Sequence, residues 1–177
     1  MSEGQRKIYE AEKSAVRNSI LENMEKVGVQ KSSMMILQAL TRLRQLSNHP
    51  KLIGKEEQSG KFDEATRMLE NIISEGHKVL IFSSFVQHLE LYKEYLENKK
   101  LKYSILTGKS RNRQEIIEEF QNNAENQVFL ISLKAGGVGL NLTAADYVFI
   151  LDPWWNPAAE NQAINRAYRI GQDKKVF

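Results

Sequence analysis

Gln162, Arg166 and Arg169 stand at i, i+4 and i+7, a spacing that gathers them into one narrow stripe on a helix. Arginine is always charged and presents a planar fork of donors, so two of them on a packed helix could clamp a triphosphate, with the glutamine amide beside them. Ala163, Ala167 and Ile170 form a second stripe that can pack while the first faces outward,. Spacing alone also fits a polar stripe that only meets solvent. A second cluster runs from Ser132 to Asn141, Ser-Leu-Lys-Ala-Gly-Gly-Val-Gly-Leu-Asn, directly after an apolar run. Gly136, Gly137 and Gly139 would let the backbone approach a ligand and turn N–H groups toward an anion. A tight connection between two elements would use the same residues.

The parts that usually hold a nucleotide are missing from the chain. In a phosphate loop, Gly-x4-Gly-Lys-Ser/Thr, the segment Gly108-Lys109-Ser110 would supply the second half, but the first glycine would fall on Tyr103,. Asp63-Glu64-Ala65-Thr66 imitates a magnesium-binding acidic box, yet it follows a polar linker and reads as the acidic first turn of a helix,. There is no cysteine, which excludes disulfides, thiolate metal sites and a Cys nucleophile,. The three histidines are scattered: His49 precedes Pro50 at a helix end and reads as structural, and His77 and His88 lack metal-site spacing.

These residues need elements to position them. Met35, Leu37, Leu40, Leu43 and Leu46 mark a helix that Pro50 stops, and Gly54 to Lys61 reads as a linker,. Phe62 to Ser74 then has helical period. Lys78–Ser83, Tyr103–Leu106, Val128–Leu133 and Tyr147–Leu151 are short, β-rich apolar runs,. Between the earlier ones lie helical patterns at Val86, Leu89, Tyr92 and Leu96 and at Ile116, Ile117 and Phe120. Such alternation predicts an α/β fold, a parallel sheet with helices on both faces. Asn156 as cap, Pro157 at the first helical position and Gly171 as stop predict a last helix over about 157–169. Lys175-Val176-Phe177 reads as the start of a strand that stops early.

At 177 residues, 41% hydrophobic and 27% charged, the chain has the makings of one globular domain with a small appendage,. No apolar run approaches the eighteen or so residues of a membrane span, and Met1 to Lys13 has no signal core. A reducing compartment follows, the bacterial cytosol or nucleoid, or a nucleus in a eukaryote. The net charge of +3 is slight, but Lys99, Lys100, Lys102, Lys109, Arg111 and Arg113 form a run with no acid among them. Such a run can meet a phosphate backbone or simply be a solvated surface.

Taken together, these segments resemble the second RecA-like lobe of a Swi/Snf-type DNA translocase of helicase superfamily two. Leu43–Pro50 resembles the segment joining two lobes, Ser59-Gly60-Lys61 and Lys78–Ser83 the entry and first strand, and Leu106-Thr107-Gly108 with Arg113 and Phe120 the next block. Ser132–Thr143 resembles helicase motif V, Asp152–Pro157 the Trp-Asn-Pro box, and Gln162–Gln172 motif VI. A DEAD-box protein usually ends that last motif in Gly-Arg, whereas Gln172 follows Gly171 here.

The resemblance implies a helical interlobe segment and linker over 1–57 and a RecA-like lobe, truncated at its end, over 58–177. It implies that Arg166 and Arg169 reach a γ-phosphate on the other lobe and that Gln162, Gly137 and Gly139 contact the nucleotide. Ser83, Thr107, Lys109, Ser132, Lys134, Gly136, Asn141 and Trp155 would meet nucleic acid. ATP and Mg2+ would be held mainly by a missing N-terminal lobe, with the double-stranded DNA backbone and that lobe as partners, and no membrane. The family commonly has Asp where this chain has Asn165, which removes a charge. The competing expectation is a non-catalytic module that binds nucleic acid or protein through the sheet edge and the Lys99–Arg113 run.

Overall fold

The structure, a computed structural model, describes residues 1–177 except 28, 137–139, 154–157, 159–160, 162–163 and 166–174. The chain divides into two compact units, Met1–Ala65 and Thr66–Phe177.

In the first unit α1 (Glu3–Val27) packs against α2 (Val29–Asn48). Gln5 bonds to Leu46, Glu12 to Arg42 and Asn23 to Ser32, so the two helices run antiparallel. Of the apolar series predicted for α2 only Leu46 is fully buried, while Leu37 and Leu40 are exposed. The series advances in steps of three, and such steps wind it around the helix, whereas a single packing partner covers one side. Pro50 ends α2 as expected and opens a 3-10 turn, Pro50–Ile53, which Gly54 closes at φ 72° in the left-handed region that glycine enters freely,. His49 caps that turn, its Nδ1 accepting the Lys51 N–H at 3.1 Å. Ser59 is buried in the expected linker: its hydroxyl accepts the Phe62 N–H and donates to the Asn48 carbonyl at 2.7 Å. It thereby caps α3 (Gly60–Ser74), with Asp63 in the first turn,.

The second unit holds an all-parallel sheet of β1 (Val79–Ser83), β2 (Tyr103–Leu106), β3 (Val128–Ser132) and β4 (Tyr147–Ile150), in the order β2-β3-β1-β4. Every residue of β1 and β3 is buried, whereas β2 and β4 are half-covered. Central strands of a parallel sheet are covered on both faces, so their sequences are apolar throughout. On the outer side of β4 the Phe177 N–H donates to the Asp146 carbonyl and the Val148 N–H to the Phe177 carbonyl, both at 2.9 Å. This is the hydrogen-bond pattern of the strand start expected at Lys175-Val176-Phe177.

Alternation along the strands sends Leu80, Phe82, Phe129 and Ile131 to one face, where Phe120 of α5 (Arg113–Asn122) seals a core with Leu106, Leu140 and Leu142,. The Phe120 and Phe129 rings lie 5.0 Å apart. Lys78 extends its ammonium to the Phe120 and Asn123 carbonyls, closing the last turn of α5 with a cation,. On the opposite face α4 (Val86–Asn98) covers β1 and β3 and buries His88, Leu89, Tyr92 and Leu96. Val86, predicted on the apolar face, is exposed, and His88 takes an inner position with its ring 5.4 Å from that of Tyr92. Among the described residues no helix is long and apolar enough to cross a membrane.

Burial, and secondarily the charge of Lys51, hold the His49 imidazole below the ordinary histidine value of 6.5,. As pH falls the unfolded chain takes up this proton first, so the contribution of neutral His49 is intact above about pH 6.5 and is lost below it. Melting followed from about pH 7 to 5.5 should show a decline that His49→Asn, which keeps an acceptor and does not titrate, makes shallower. An unchanged slope would argue against a role for His49.

Candidate functional site

Because all four strands run the same way, their carboxyl ends share one edge. Ser83 and Ser132 are register partners there, Leu106 stands opposite Ile131, and Phe82 opposite Ile150. Thr107 follows directly on β2, and Asp152 comes two residues after β4. Each polar side chain at this edge organises the turn after its strand. The Ser83 hydroxyl accepts the Phe85 N–H at 3.1 Å, at the start of α4. The Ser132 hydroxyl accepts the Ala135 N–H at 3.3 Å, in the single-turn helix α6 (Leu133–Gly136). Thr107 and Ser110 bond reciprocally: the Thr107 N–H donates to the Ser110 hydroxyl at 3.0 Å, and the Ser110 N–H to the Thr107 carbonyl at 3.1 Å. Lys109 lies within this turn and is exposed.

The base-only run from Lys99 to Arg113 does not form one patch. Lys99 and Lys102 precede β2 and lie toward its amino end, whereas Lys109, Arg111 and Arg113 follow it at the carboxyl edge. The strand between spans about 13 Å at roughly 3.3 Å per residue,. The amino-end pair is occupied: Lys99 binds Glu70 at 2.6 Å and Lys102 binds Glu125. Hydrogen bonds from Lys99 and then Tyr95 hold the Glu70 carboxyl below its usual range, and the Glu70 bond raises Lys99. At the other edge Lys109, Arg111 and Lys134 are exposed and have no carboxylate partner among the described residues. Among the described residues this edge therefore carries three exposed cations without a carboxylate beside them.

Of the residues expected to do chemistry, the edge gathers Ser83, Thr107, Lys109, Ser132, Lys134 and Gly136, and exposed Asn141 follows α6 in the chain. Gly137, Gly139, Trp155, Gln162, Arg166 and Arg169 lie outside the described residues, as does most of the predicted last helix. Of that helix, residues 158, 161, 164 and 165 are helical, and Asn165 is exposed. Among the described residues no three His, Asp or Glu side chains converge on a point that could hold a metal.

Residues 60–171 match the model of the helicase conserved C-terminal domain. The chain is 34% identical, over 91% of its length, to the Sulfolobus solfataricus SWI2/SNF2 ATPase C-terminal domain, covering 72% of that chain at a TM-score of 0.77. The chain belongs to the helicase C-terminal family, in its SWI2/SNF2 branch.

The Sulfolobus SWI2/SNF2 ATPase core in complex with dsDNA aligns over 99% of the chain, with a TM-score of 0.80 and 34% identity; the chain covers 37% of it. An uncharacterized ATP-dependent helicase of Mycoplasma pneumoniae is 41% identical over 174 residues, 96% of this chain and 16% of the relative. The chain therefore spans about a sixth of the length of that relative. Its fold is the RecA-like α/β fold of SWI2/SNF2 C-terminal domains.

In this SWI2/SNF2 lobe two contacts had no assigned role in the sequence. The Asp152 carboxylate, 3% exposed, accepts the Ser84 N–H with both oxygens at 3.0 and 3.1 Å and also receives the Ser84 hydroxyl. It ties the first residue of the Trp-Asn-Pro box to the end of β1. Arg113 donates from Nη2 to the Ala135 carbonyl at 2.8 Å. Asp152 was visible only as part of a motif; Arg113 carried a local signal, a base at the first position of a helix.

Asp152→Ala would leave two partly buried donors of Ser84 without this acceptor. Denaturant unfolding should show a loss of about 2–3 kcal/mol, and a smaller loss for Asp152→Asn, which keeps one acceptor oxygen.

Proposed function

We propose that this chain is the C-terminal motor lobe of a Swi/Snf-type, ATP-dependent translocase on double-stranded DNA. The observation that carries the reading is the set of unpaired cations, Lys109, Arg111 and Lys134, on the carboxyl edge of a sheet whose fold matches a SWI2/SNF2 core in complex with dsDNA. Phosphate contacts of this kind supply affinity without sequence preference. Thr107, Gly136, Asn141 and Trp155 would line the proposed DNA track with them, whereas Ser83 and Ser132, expected there from the sequence, are buried and shape the track through the turns that they hold.

Arg166 and Arg169 of motif VI act across the lobe interface on the γ-phosphate, with Gln162, Gly137 and Gly139 near the nucleotide. Guanidiniums brought to a transferring phosphoryl group offset the charge that develops there, and such an arginine is worth about a thousandfold or more in rate. The described residues offer an anion cations and donors and offer Mg2+ no convergent carboxylates. In this reading ATP with its magnesium belongs mainly to the N-terminal lobe, which is the second partner. Residues 1–57 form the interlobe segment and linker, and residues 58–177 the lobe.

The chain alone, mixed with duplex DNA and ATP, should hydrolyse negligibly, and adding the matching N-terminal lobe should restore hydrolysis. Arg169→Ala should then reduce the restored rate about a thousandfold. Turnover by the chain alone that Arg169→Ala abolishes would overturn the half-site reading; unchanged DNA binding with no restored turnover would favour a non-catalytic module.

A titration in salt checks the DNA track separately. Affinity for duplex should be weak, independent of sequence, and steeply salt-dependent. Lys109→Ala or Lys134→Ala should each lower the slope of log K against log salt by about one. A strong preference for one sequence would count against backbone contacts.

A further inference from the structure

Ala135 is gripped from both sides. Its N–H is held by the hydroxyl of Ser132, the last residue of β3, at 3.3 Å, and its carbonyl by Arg113 Nη2, from the start of α5, at 2.8 Å. Arg113 is half-buried and stands at the first position of α5, where a cation meets the positive end of the helix dipole,. The Asn112 side chain does not cap the helix; it turns to Glu115, the acid of the first turn. A base in this place costs stability locally, and local rules are broken in proteins where something else is gained. Here the gain is a charge-assisted bond from α5 to α6, two elements that leave neighbouring strands of the carboxyl edge.

We infer that Arg113 is a positioning residue: through the Ala135 carbonyl it sets α6, and with it Lys134, for contact with DNA phosphate. This rests on the DNA track proposed above. Nη2 is engaged inside the lobe by the Ala135 carbonyl, and through that bond the half-buried guanidinium acts on α6. Lys134, next to Ala135, carries the exposed charge that the phosphate meets. Without Arg113 the short helix keeps the Ser132 bond and the core packing of Leu133 and Ala135 but loses its tie to α5, and Lys134 is held less closely in direction.

Two readouts on the 177-residue chain, with Arg113→Ala and Arg113→Lys, test the inference. Hydrogen exchange without DNA should show the Ala135 and Gly136 amides losing about tenfold in protection in Arg113→Ala, while cooperative melting and the protection of β1 and β3 persist. Unchanged protection at α6 overturns the inference whatever happens with DNA. In the second readout, duplex affinity should fall in Arg113→Ala about as far as in Lys134→Ala, and the double variant should be no weaker than either alone. If instead the losses add and the salt slope drops by about one more in the Lys134→Ala background, Arg113 touches phosphate itself and the inference fails. Arg113→Lys keeps the charge and loses the planar fork, so its affinity should follow its α6 protection; affinity retained with α6 loosened also overturns it. A chain that shows the exchange effect yet never binds duplex refutes the DNA track and leaves the grip on α6 standing.

Discussion

The rest of the lobe depends on the parallel ladder of β1 against β3 on one side and β4 on the other. A parallel sheet cannot be closed by short hairpins, so each strand must be followed by a crossing connection, and each crossing starts at the same edge. That edge collects the ends of four strands whose sequence neighbours are far apart, and side chains from four motifs become neighbours without any one segment specifying the site. Coverage on both faces is the other half of the constraint. It makes β1 and β3 wholly apolar and leaves polar chemistry only where the strands stop,.

Polar groups at the stopping points first satisfy the protein itself. Ser83, Ser132, Thr107 and Asp152 all bind backbone N–H groups of the turns they begin or meet. These buried or half-buried groups fix where the turns go. The charges that can reach outward, Lys109, Arg111 and Lys134, stand on the turns so fixed. The edge is thus built in two layers, with hydroxyl and carboxylate acceptors placing the backbone and exposed cations beyond them. Long lysine side chains adapt to a polyanion, while the backbone beneath them is held by short bonds.

Sheet and core were legible in the sequence because burial on both faces leaves a signal no other element shares. The runs Val-Leu-Ile-Phe and Val-Phe-Leu-Ile became β1 and β3, and the boundaries moved by a residue where Lys78 turned to cap α5 and Leu133 joined α6. Surface helices were less legible. Val86 and His88 exchanged places because a helix covered on one side tolerates a buried ring of mixed character, and hydrophobicity scales rank the two residues the other way. The base-only run misled for a different reason: adjacency along a strand that crosses the sheet places its two ends at opposite edges. Asp152 and Arg113 act through backbone groups of residues far from them in sequence, and backbone groups leave no trace in a list of side chains. Arg166 and Arg169, expected by resemblance, lie outside the described residues.

The strand order also has a consequence for how the chain is made. During synthesis β1 is the first strand of this sheet to emerge, and β2 is next, yet these two do not pair. β1 must wait for Val128–Ser132 before it gains a neighbour on one side, and for Tyr147–Ile150 before it gains one on the other. Throughout that interval Val79–Phe82, apolar at every position, has both of its hydrogen-bonding edges open. Non-local pairing of this kind is slow and leaves sticky edges exposed during synthesis. The sheet order that concentrates four turns on one edge therefore makes the lobe's central strand the part most in need of protection at birth.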